Sequence, residues 1–187
     1  MQKLSLALIL ALLLSTGCTH RATALSAQHP IATTGLSAPS WLDTVHAMAV
    51  PPTGWNRDPL RKSPKHTHEV FVAPSGSTCY GVMHFTTPIP VGPDLAVWGF
   101  LREMQRKQGE AILISKQDDP QLPGIRFVAE GGKYRVRVNI MTKGFEGWAV
   151  YAGTLRDRPI VQPELDLAER AREYTKTGNA TKLKNSK

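Results

Sequence analysis

His68-Glu69-Val70-Phe71-Val72-Ala73 is followed by Pro74-Ser75-Gly76-Ser77 and then by Thr78-Cys79-Tyr80-Gly81-Val82-Met83-His84-Phe85. Two runs rich in β-branched and aromatic residues flank four turn-forming residues. They read as an antiparallel hairpin, because a connection this short cannot cross over to a parallel strand. A turn over 74–77 pairs Ala73 with Thr78. That register predicts Val72 opposite Cys79 and His68 opposite Met83. His66 joins the same face if the strand reaches back that far.

Downstream, Pro88, Pro90 and Pro93 break the chain before a helix over Asp94 to Gln108. Val97, Leu101 and Met104 form its apolar stripe, Asp94 suits its first turn and Gly109 its end. Four strand-like runs follow: Ala111 to Ser115, Ile125 to Ala129, Tyr134 to Met141 and Trp148 to Leu155. Asp119-Pro120, Pro123-Gly124, Gly131-Gly132 and Lys143-Gly144 separate them at spacings that favour hairpins. A second helix is predicted from Pro163 to about Thr175. Upstream, Val45 to Val50 reads as a first strand, Pro51-Pro52-Thr53-Gly54-Trp55 as a turn, and Asn56 to Lys65 as a polar loop. The expected fold is α+β: an antiparallel sheet of about six strands packed with two main helices.

This element order, with Pro52, Gly54 and Trp55 near the domain entrance, resembles the PsbP/Mog1/DcrB group of folds over roughly residues 41 to 177. The resemblance implies an αβ sandwich and a non-catalytic adaptor, assembly or envelope role, with those three residues structural.

At the other end, Lys3 precedes an apolar run from Leu4 to Leu14 and the small residues Ser15, Thr16 and Gly17, then Cys18. This is the grammar of a secretory signal peptide, too short for a membrane-spanning helix. Leu14-Ser15-Thr16-Gly17-Cys18 resembles a bacterial lipobox. The resemblance implies cleavage between Gly17 and Cys18, acylation of Cys18, and anchoring by several chains at about 0.8 kcal/mol per buried methylene. By resemblance to enterobacterial sorting, Thr19 in place of an aspartate implies delivery to the periplasmic side of an outer membrane if the host has one. The predicted organisation is a signal peptide (1–17), a lipidated cysteine and tether (18–40), one domain (41–177) and a basic tail (178–187). The tether, rich in Ala, Ser and Thr, has a mean reach of roughly 25 Å.

The formal net charge is +8. The stretch after Thr175 carries Lys176, Lys182, Lys184 and Lys187 and no acid, half of that charge, which reads as a solvated tail. An envelope location excludes nucleic acid as a partner. With Cys18 committed to lipid, Cys79 has no partner in the chain, and burial is its expected fate.

No catalytic motif stands out: there is no Gly-x-Ser-x-Gly, no His-Glu-x-x-His and no phosphate-binding loop. Ser75 reads as a turn serine, and Asp118 and Asp119 as solvent-facing carboxylates. No cofactor is implied. Two site hypotheses remain. His66, His68, Cys79 and Met83 fall on one hairpin face and together would suit a soft metal. Lys133, Arg135 and Arg137 alternate with Tyr134, Val136 and Val138, making a basic strand face able to meet an anionic envelope component. The leading expectation is a lipid-anchored, non-catalytic envelope binding domain. The alternative is a small envelope enzyme or metal-binding protein using the hairpin from His66 to His84.

Overall fold

The computed structural model describes Gly35 and residues 40–41, 48–58, 61–63, 66–119 and 124–185. Its strands are β1 (Ser40–Trp41), β2 (Met48–Ala49), β3 (Asn56–Arg57), β4 (Arg61–Ser63), β5 (His66–Val72), β6 (Thr78–Thr86), β7 (Ile112–Asp118), β8 (Gly124–Gly131), β9 (Tyr134–Lys143) and β10 (Glu146–Leu155). The helices are α1 (Pro93–Gln108) and α2 (Gln162–Asn185). The signal peptide, Gly17, Cys18 and most of the expected tether lie outside the described residues.

The hairpin forms in the expected register: Val72 lies opposite Cys79, His68 opposite Met83 and His66 opposite Phe85. Gly76, at φ +69°, supplies the left-handed residue of the turn, and the Ala73 N–H bonds to the Thr78 carbonyl at 2.9 Å. From β6 the chain crosses through α1 to the far edge of the sheet. It then returns through the meander β7-β8-β9-β10, which brings β10 beside β6. All pairings in the sheet are antiparallel, with strand order β5-β6-β10-β9-β8-β7. The fold is therefore α+β. Its sheet is seven positions wide rather than about six, because β3 and β4 both pair with β5 inside the segment expected to be a loop. Their polar residues form strands because backbone bonding to an edge does not require apolar side chains. Of the expected first strand, only Met48–Ala49 is β among the described residues, pairing with β1.

The helices cover opposite faces of the sheet. α1 lies over β8 and β9, where Val97, Phe100 and Met104 meet Phe127, Val136, Val138 and Ile140. α2 lies over β10 and β6, where Ala168 and Ala171 meet Val82, Trp148 and Val150. The alanines let the helix approach closely. Central strands β6 and β10 are consequently buried on both faces, so they read as continuous apolar runs rather than alternating ones. α2 runs on to Asn185, past the end expected near Thr175 and through most of the expected tail. Gly178 inside it costs only about 1 kcal/mol relative to alanine, too little to stop a helix already docked on the sheet.

Two aromatic rings lie across glycines of neighbouring strands. The Tyr151 ring occupies the space a Gly81 side chain would take, and Phe85 does the same at Gly147. The first arrangement lets Tyr151 of β10 reach over β6, so that its hydroxyl meets His68 Nε2 of β5 at 2.7 Å.

Candidate functional site

Alternation along β9 places Arg135, Arg137 and Asn139 opposite Thr154, Ala152 and Val150 of β10, on the face that carries α2. The partner set Val136, Val138 and Ile140 enters the core under α1. The sequence therefore sends one apolar and one basic row to opposite faces, as expected. α2 does not extend sideways far enough to cover the basic row. A groove of about 160 Å³ remains between the strand and the helix start, lined by Arg135, Arg137, Thr154, Ile160, Leu165 and Glu169, with Ala152 in the lining.

The three basic residues expected as a strip are all half-exposed, and each has one acid nearby. Lys133 lies 3.7 Å from Asp157, Arg135 lies 3.5 Å from Glu130, and Arg137 lies 3.3 Å from Glu169. Exposed pairs of this kind contribute about 0–1 kcal/mol each. Glu169 is not held by Arg137 alone: Arg172 donates to its other oxygen from Nε at 2.9 Å and Nη2 at 2.8 Å. The Arg137 and Arg172 guanidiniums thus share Glu169 through its two oxygens.

Behind the groove runs a buried polar chain. Arg172 donates to the Asn139 side-chain oxygen, and Asn139 Nδ2 donates to Asp119 Oδ2 at 2.8 Å. Lys176 Nζ lies 3.3 Å from the same Asp119 oxygen and 2.6 Å from Glu173. Asp119 and Lys176 are both buried, which corrects the expectation that one faces solvent and the other belongs to a solvated tail. The physical reason is mutual: two charges 57 positions apart in sequence are tolerable inside because the fold brings them together with an amide between. Asn139, within the apolar stretch Val138-Asn139-Ile140-Met141 of β9, was the signal for this chain, since a buried amide calls for partners.

At the helix start, Ser75 in the hairpin turn donates its backbone N–H to Glu164 Oε1 at 3.2 Å and its hydroxyl to Glu164 Oε2. No imidazole takes part in these contacts. The pair ties the turn to the first turn of α2, where a carboxylate also complements the helix dipole.

The hairpin residues proposed for a metal are only partly brought together. His68 and Met83 are cross-strand neighbours, and Cys79 is buried and in no disulfide. Cys79 stands four residues from Met83 along β6, or about 13 Å at strand rise. Ligands bonded to one ion at about 2.0–2.3 Å cannot be so far apart. The His66 side chain lies outside the described residues. Among the described residues, no group of three or more His, Cys, Asp or Glu side chains is placed to hold a metal ion.

No family model matches the chain, and no curated protein matches it. A crystal structure from Bacteroides thetaiotaomicron VPI-5482 at 1.50 Å resolution superposes with a TM-score of 0.33 and 14% identity, over 66% of this chain and 43% of that one. The chain thus spans less than half the length of that protein, and a likeness this low says nothing of fold or role.

Proposed function

We propose that this chain is a lipid-anchored, non-catalytic binding domain of the bacterial cell envelope, tethered through acylated Cys18 and facing the periplasm. The lipobox-like leader supports the location, and the element order supports kinship with PsbP-like adaptor and assembly proteins. The observation that carries the binding role is the groove beside β9, where Arg135 and Arg137 stand along one strand face over an apolar lip of Ile160 and Leu165. Two guanidiniums two residues apart are about 7 Å from one another along the strand, a spacing that lets both engage one polyanionic chain.

The test is binding of the full chain to anionic envelope polymer and to anionic vesicles, with Lys133, Arg135 and Arg137 all changed to Gln in the comparison protein. Binding to the polymer should fall at least several-fold in the triple variant and should weaken in both proteins as salt rises. Equal binding by the two proteins would remove the groove from the reading.

A further inference from the structure

Strand β7 closes one side of the sheet and pairs only with β8 among the described residues. The opposite side ends in two short strands, β3 and β4, whereas β7 presents seven residues that are all exposed. Three of them, Ile112, Leu113 and Ile114, are consecutive aliphatics between 40% and 49% exposed. Free strand edges with apolar side chains are templates for another strand.

The neighbouring helix extends this surface. Asp94 of α1 pairs with Lys116 of β7, so that side of α1 faces the edge. Trp98, one helical turn on from Asp94, lies on the same side and is 49% exposed. The edge also carries two features that discourage indiscriminate pairing, a bulge at Ile114 and the charge of Lys116. A partner must therefore accommodate the Asp94–Lys116 pair and tolerate the irregular step.

We propose that the partner is β7 of a second copy, paired antiparallel about a twofold axis at Leu113. The sequence from Glu110 to Lys116 is complementary to itself in that alignment: Glu110, just before β7 and 3.9 Å from Arg156 of its own chain, falls opposite Lys116 at both ends, Ile112 opposite Ile114, and Leu113 opposite its own copy. A twofold axis normal to the sheet keeps both α1 helices on the same face, so the two Trp98 rings flank the seam. The contact is isologous, the ordinary form of a homodimer. One strand and one helix side per copy make a small interface, so association in the micromolar range is expected.

The full chain in detergent micelles is the material for the test, followed by sedimentation from low micromolar to several hundred micromolar. The expected result is a reversible monomer–dimer equilibrium. Glu110→Lys or Lys116→Glu alone should weaken it about tenfold by setting like charges opposite one another, and combining the two should restore it. Leu113→Cys should cross-link copies on mild oxidation far more readily than Gln162→Cys on α2. These positions are exposed, and an unchanged circular dichroism spectrum excludes misfolding as the cause. A monomer at every concentration, no recovery in the charge-swapped double variant, or cross-linking at 162 that matches 113 would each overturn the proposal.

Discussion

The Tyr80 hydroxyl sits at the meeting point of β6, α2 and the entry segment, bonded to Thr175 and receiving the Val50 N–H at 3.1 Å. Burial raises its pKa well above the ordinary tyrosine range; the Thr175 and Val50 bonds offset part of that rise, and Glu69 adds to it. A raised folded-state value stabilises the fold fully below the unfolded pKa of about 10 and is lost as pH rises beyond it, because the unfolded chain ionises first. Urea unfolding should therefore show stability falling above roughly pH 10, with a shallower fall in Tyr80→Phe. A slope unchanged by the substitution would assign the alkaline loss to other groups. Lys176 gives a larger effect at neutral pH. Lys176→Met removes the ammonium group that faces the buried Asp119 carboxylate, and should destabilise by about 3–5 kcal/mol, whereas the exposed Arg137→Gln should cost under about 1 kcal/mol. Denaturant titration of the two variants separates them. A Lys176→Met loss no larger than that of Arg137→Gln would mean that Asp119 finds solvent when its partner is gone.

Elements differed in how openly the sequence announced them, and the reasons are physical. The β5–β6 hairpin was readable to the residue because its turn is four residues long and holds the pairing of Ala73 with Thr78, after which every cross-strand neighbour follows. α1 was readable because its stripe, its dipole residues and Gly109 agree. β3 and β4 carry no pattern, since their strand character comes from the β5 edge they pair with. The groove was half readable: alternation in β9 announced Arg135 and Arg137, but its other wall comes from Leu165 and Glu169 of a distant helix. The His68–Tyr151 contact was hidden, because it depends on a glycine in the strand between them. Gly81→Ala tests that dependence. Its added methyl meets the Tyr151 ring, so the ring must leave Gly81, breaking the hydroxyl contact with His68 at a cost of about 1–3 kcal/mol. Combining it with Tyr151→Phe should add much less than the sum of the two single changes. Simple additivity would show that the ring moves without losing His68.

For the molecule as a whole, the sheet and helices form a body whose basic groove lies on the α2 face, while the proposed lipid attachment is at Cys18, beyond the tether expected from the sequence. The carbonyl of Gly35, inside the expected tether, receives the Thr53 N–H at 2.6 Å, so the proposed attachment reaches the domain through the residues between Cys18 and Gly35, and on the tether reading these would transmit no defined orientation to it. Anchoring and binding should then be separable. Cys18→Ser removes the thiol that would be acylated. The variant should move from the membrane fraction to the soluble fraction of the envelope, and its mass should lack the acyl chains found on the parent. Its affinity for anionic polymer in solution should match that of the parent, because the residues around the groove are untouched. Its capture at a membrane surface should fall further than its affinity does, since losing the lipid removes the local concentration the anchor creates. The decisive comparison is between Cys18→Ser and the Lys133, Arg135 and Arg137 triple variant. The first should lose the membrane and keep the polymer, and the second should keep the membrane and lose the polymer. A Cys18→Ser protein that stays membrane-bound with an unmodified parental mass would end the lipoprotein reading, and would leave the groove to be judged by its own binding.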